Sequence, residues 1–141
     1  MTEIAAQPPL RWTPPAAPAD AARPVLRTAI GRGLRGLCPN CGQAPLFTGW
    51  LRVRPACAHC AAPLGRVRAD DAPPYVVIFL TGHLVIAAEV MLDSAMQVSP
   101  WAEAAIFLPL TLAMCLGLLR PVKGAIVGLM LHLGMVSPEH A

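Results

Sequence analysis

A chain of 141 residues that is 55% hydrophobic and only 13% charged is too apolar for an ordinary soluble domain of its size. The net charge of +3 is unevenly spread: nine of the eleven cationic side chains are arginines before Asp70, and only Arg120 and Lys123 lie beyond it. That asymmetry predicts a cytosolic N-terminal portion followed by membrane spans. It argues against a single globular core and, because membrane orientation accounts for the arginines, against a nucleic-acid-binding surface.

Residues 1–24 carry six of the sixteen prolines with little but alanine between them. Such a stretch buries too little surface to offset its ordering entropy and is expected to be a disordered tail. It has no apolar core of a secretory leader, so the cysteines that follow are expected to be reduced thiols. Val25 to Leu37 is basic and weakly amphipathic, with Val25, Leu26, Ile30 and Leu34 set against Arg23, Arg27, Arg32 and Arg35. It reads equally as a segment lying on an anionic membrane surface or as a solvated lead-in. Gly31, Gly33 and Gly36 argue against a long helix there.

Cys38-Pro39-Asn40-Cys41 and Cys57-Ala58-His59-Cys60 are two Cys-x-x-Cys knuckles separated by fifteen residues, the spacing of a four-cysteine zinc ribbon. A Cys-x-x-Cys turn aims two thiolates at one ion, and two such turns complete a tetrahedron. Gly42 suits the φ > 0 conformation that often ends such a turn, whereas the second knuckle carries Ala61. Between them Pro45 to Arg54 reads as a short β-hairpin whose Leu46, Phe47, Trp50, Leu51 and Val53 cover one side of the ion. So small a ribbon has almost no core, and bound metal is expected to supply most of its folding energy.

Tyr75 to Leu92, after Pro73-Pro74, is a first span of ~27 Å, and Trp101 to Leu119 a second of ~28 Å. The turn Asp93 to Pro100 has no Lys or Arg, so both termini are expected in the cytosol. Pro121 to Val136 is expected to kink at Pro121 and lie at the interface as a separate helix, with a continuation of the second helix or a thin third span as the alternatives. Gly124-x-x-x-Gly128 offers a close approach to another helix. The expected organisation is thus a tail at 1–24, a basic segment and ribbon at 25–72, a membrane domain at 73–136 and a short tail at 137–141. The fold class is a small α-helical integral membrane protein with a zinc ribbon, two transmembrane helices and a C-terminal interfacial helix.

Beyond the cysteines, Asp70 and Asp71 either hold a metal ion or a partner's arginine or, the plainer reading, form a turn in which Asp71 caps the first span. His83 lies ~12 Å inside that span. It either joins Cys115 or Met114 in a soft-metal site or is a neutral imidazole bonded to Thr111 or a backbone carbonyl, the reading favoured here. Glu89 needs a proton, a partner helix or water, and with Asp93 and Glu103 it makes an acidic outer rim. No hydrolase triad, phosphate loop or dinucleotide fingerprint is present, so no enzyme and no small-molecule substrate is expected.

The ordered set Cys-Pro-x-Cys-Gly, Leu46-Phe47-x-Gly49-Trp50-Leu51, the second Cys-x-x-Cys, Ala69-Asp70-Asp71-x-Pro73 and Leu119-Arg120-Pro121-x-Lys123-Gly124 resembles a bacterial membrane family catalogued as domain of unknown function 983. The resemblance covers about Gly36 to about Leu133. The family's usual Asp-Asp-Gly-Pro-Ala is Asp70-Asp71-Ala72-Pro73-Pro74 here. The resemblance implies an inner-membrane protein with a cytosolic zinc ribbon, and association with haem-copper cytochrome oxidase assembly. The expected function is an interaction or assembly factor contacting the bilayer and a membrane-protein partner or a second copy. The alternative is a metal or redox handler passing copper or iron between the thiolates and intramembrane His, Met and Cys.

Overall fold

The computed structural model describes residues 25–135 apart from 68, 70 and 97; the tails expected at 1–24 and 137–141 and the roles weighed for Asp70 lie outside the described residues. Among the described residues three α-helices form in chain order: α1 (Leu26–Leu34), α2 (Ala72–Ala95) and α3 (Pro100–Leu133). The four-cysteine segment lies between α1 and α2 and ends in a single 3-10 turn, Leu64–Arg66.

α2 and α3 form a hairpin joined by residues 96–99. Ser99 caps α3, its hydroxyl accepting from the Ala102 N–H at 3.4 Å, and Pro100 occupies the first helical position, where a missing N–H costs nothing. Gly134 ends the helix in a left-handed conformation. Both helices are long and apolar enough to cross a membrane, and only 11% of the most apolar stretch of α2 and none of that of α3 is buried. A core helix of a soluble protein would be mostly buried. Here Tyr75, Ile78, Phe79, Ile86, Val90, Ile106, Leu108 and Leu112 are all exposed, an apolar belt that none of the described residues covers.

α3 does not stop at Pro121. It runs unbroken for 34 residues, ~51 Å, so the separate interfacial helix expected after a kink is the last third of the second long helix. An interior proline costs a helix ~3 kcal/mol, and tertiary packing offsets it on the far side. Val127 and Leu131 are buried in the ribbon core, and Gly124 and Gly128 are buried against α1.

α1 is short, as its glycines dictate, and neither of the two readings of its segment described its main contact. Ala29 and Gly33 lie on one face of α1, Gly124 and Gly128 on one face of α3, both at four-residue spacing. A Cβ on Gly33 or Gly124 would overlap the other's backbone carbonyl, and one on Gly128 would come within 2.7 Å of the Ala29 carbonyl oxygen. Only glycine admits backbones this close. The partner helix for the Gly124-x-x-x-Gly128 motif is therefore α1.

The expected β-hairpin is not formed. Two isolated antiparallel bridges, Leu37 with Pro45 and Phe47 with Val53, stand in its place. Pro45 has no N–H to donate, and the Leu46 N–H turns back to the Gly36 carbonyl at 2.8 Å. Leu46, Phe47, Leu64, Val67 and Ala69 from this region pack with Val127 and Leu131 of α3 into one cluster.

Candidate metal centre

Each knuckle is a tight turn closed by its own backbone. Gly42 N–H donates to Cys38 C=O at 2.8 Å, and Ala61 N–H to Cys57 C=O at 3.0 Å. The residue after each second cysteine turns left-handed: Gly42 at φ 71° and Ala61 at φ 55°, the latter without equal among the described non-glycine residues. The two turns bring four sulfurs within 4.8 Å of one another. Cys38 and Cys60 are 3.8 Å apart across the knuckles, Cys41 and Cys57 3.7 Å. Four thiolates at the ~2.3 Å Zn–S distance of a tetrahedral site would stand about 3.8 Å apart, so these separations fit one ion and are far too long for disulfides. The four cysteines can hold a metal ion with every coordination position filled.

The protein surrounds the sulfurs with donors. Gln43 N–H reaches Cys41 Sγ at 3.5 Å, His59 N–H reaches Cys57 Sγ at 3.4 Å, and the Asn40 amide reaches Cys60 Sγ at 3.5 Å. The protons are shared unequally. Burial pushes the Cys38 thiol well above its usual range, and the N–H groups of Cys41 and Asn40 only partly offset it. Burial also raises Cys57, but the backbone N–H groups of Cys60 and His59 and the thiols of Cys38 and Cys60 outweigh it, lowering its pKa to about 7. Cys60 is raised, by burial foremost, and Cys41 is lowered because the N–H groups of Gln43 and Ala44 overcome its burial. An incoming cation thus meets Cys41 and Cys57 as the readier thiolates, while burial favours the protonated form of Cys38 and Cys60.

Sequence reasoning missed the groups that mount this cluster. Arg32 of α1 donates to the Asn40 carbonyl at 2.7 Å, so a guanidinium stands against the first knuckle, where it favours a net-negative four-thiolate ion. Arg120 of α3 lies over the Phe47 ring, 5.5 Å from its centroid. Asn40 carries a local signal, an amide inside the knuckle. Arg32 carries none, since its role depends on how α1 docks.

Residues 47–131, more than half of the chain, match the family described as protein of unknown function DUF983. The chain belongs to the DUF983 family. The match takes in the second knuckle, α2 and nearly all of α3, and leaves α1 and the first knuckle outside it. No curated protein and no solved structure matches the chain.

Among the described residues, the other candidates of this DUF983 chain do not join the cysteine cluster. His83 is exposed on α2, and its Nδ1–H donates to the Phe79 carbonyl one turn back at 2.8 Å. It is not bonded to Thr111, whose hydroxyl donates instead to Phe107 C=O at 2.6 Å. Cys115 is half-buried on α3, outside the four-sulfur group. Glu89 and Asp93 are exposed towards the end of α2, and Glu103 stands in the first turn of α3.

Asp71 corrects an expectation. It sits at the N-cap position of α2, yet its side chain makes no capping bond. An N-cap side chain accepts from the second or third helical N–H, and those residues are Pro73 and Pro74, which have none.

Proposed function

We propose that this protein is a membrane-anchored docking or assembly factor, not an enzyme, whose four cysteines hold one structural zinc ion in the cytosol. The carrying observation is the mounting of the cluster. The ribbon shares its core with Val127 and Leu131, and α1 is locked to the same stretch of α3 through glycine. A metal-stabilised head fixed rigidly to a long apolar helix presents a surface in a set position over the bilayer, which is what docking requires. A closed four-thiolate ion has no open position for substrate, which supports a structural role.

In this reading α2 and the first two-thirds of α3 cross a bacterial inner membrane, both termini are cytosolic, and the partner is another membrane protein or a second copy. The arginines before α2 and Arg120 near the far end of the second crossing support that orientation. A haem-copper oxidase as the complex rests on the family resemblance alone, and the proposal stops at a membrane-protein partner. The second reading, metal transfer, draws on Cys41 and Cys60, which are only half-buried and so reachable by another thiol.

Elemental analysis of the purified full chain separates the two. One zinc per chain that survives dialysis and is unchanged in His83→Leu supports docking. Copper or iron, or metal lost on dialysis or in His83→Leu, overturns docking in favour of transfer.

A further inference from the structure

α1 has a second apolar face. Beside the Ala29 and Gly33 edge that meets α3, Leu26, Ile30 and Leu34 recur at four-residue spacing, and Leu26 and Leu34 are exposed. Ile30 and Leu34 line a groove of about 190 Å³ with Val76 of α2 and Val122, Ala125, Ile126 and Leu129 of α3. The four α3 residues follow a single helix face, and every lining side chain is aliphatic. Val76 belongs to the start of α2, where Tyr75, Phe79 and Leu80 are also exposed, so the groove borders the outward apolar belt. Arg27, exposed and three residues from Ile30, stands next to the stripe on the helix surface.

We propose that this groove is a lipid site, which takes one acyl chain of an anionic phospholipid while the Arg27 guanidinium holds the phosphate. The inference rests on the membrane reading given above and adds a ligand to it. The lining offers nothing to a polar ligand, and a hydrocarbon chain from the adjoining bilayer is the apolar group at hand. The neighbouring cation selects the charge of the headgroup, because each Lys or Arg near an anionic membrane surface adds favourable binding energy. α1 is then held on two faces, by glycine packing on α3 and by lipid in the groove.

Native mass spectrometry of the detergent-purified full chain, titrated separately with phosphatidylglycerol and phosphatidylcholine of matched chains, tests this. Wild type should retain phosphatidylglycerol roughly fivefold better. Arg27→Gln should equalise the two lipids, and Arg35→Gln, which removes a cation outside the stripe, should keep the preference. Leu34→Gln should weaken both lipids at unchanged helical circular dichroism, and Leu129→Gln makes the same cut from α3 if Leu34→Gln misfolds. Equal retention by wild type, a preference that survives Arg27→Gln, equal effects of the two arginine variants, or groove variants that bind like wild type each overturn the lipid site. A carbonate wash of membranes keeps the two readings apart: release of the chain overturns the membrane reading and the lipid site together, and retention without lipid selectivity overturns the site alone.

Discussion

Gly33 of α1 and Gly124 of α3 meet backbone to backbone, each occupying the space where the other's Cβ would have to go. Gly31, two residues away in the same helix, has nothing near its missing Cβ. Gly124→Ala should therefore force α1 off α3, costing about 1–3 kcal/mol, while Gly31→Ala should be neutral or stabilise α1 by about 0.5–1 kcal/mol. Tryptic cleavage at Arg27 and Arg32 in the detergent-solubilised chain reads the difference. It should speed up roughly tenfold or more in Gly124→Ala and slow or stay unchanged in Gly31→Ala.

The two knuckles differ at one backbone position. Ala61 holds φ 55°, where an L side chain costs roughly 1–2 kcal/mol and glycine costs little. Ala61→Gly should relieve part of that strain and tighten metal retention about fivefold in a chelator competition. Gly42→Ala should do the reverse and more, since its new Cβ would also lie 2.7 Å from Arg32 Nε.

How much of this was legible in the chain differs from element to element. The cysteine spacing announced a single cluster because metal ligation is a local, covalent-scale constraint, and the four sulfurs do converge. The two apolar helices were legible from run length, because hydropathy and length are properties of a contiguous stretch. Pro121 is not a legible guide, because a proline's penalty is local whereas the ribbon and α1, which hold the helix beyond it, are distant in sequence. No strand forms at residues 45–54 because Pro45 has no N–H to donate and the Leu46 N–H bonds Gly36, which leaves Phe47 and Val53 as an isolated bridge flanked by the Thr48-to-Arg52 and Arg54-to-Leu46 bonds. Arg32 against the first knuckle was out of reach, since it exists only once Gly33 has found Gly124.

Removing the metal should release the ribbon and spare most of the two long helices. The ribbon's core is a handful of side chains around the cysteines together with Val127 and Leu131, so the loss reaches only the end of α3 beyond Pro121, whereas α2 and α3 also pack on each other. A strong chelator should raise the count of titratable thiols from one, Cys115, to five, with most of the helical circular dichroism retained. A count already at five before chelation, or a collapse of the helical signal with it, would contradict this separation.

Asp71 gives the most exacting test of local reasoning. Replacing an N-cap Asp by Ala typically costs ~1 kcal/mol because an orphan N–H of the first turn loses its acceptor. The second and third residues of α2 are Pro73 and Pro74, so no such N–H exists for Asp71 to serve. Asp71→Ala should then change thermal stability far less than Ser99→Ala, which removes a hydroxyl that does accept from Ala102. Thermal melts of the two variants in one detergent decide it. A loss in Asp71→Ala as large as that in Ser99→Ala would mean the carboxylate has another partner, and a guanidinium on a docked membrane protein would be the first to look for.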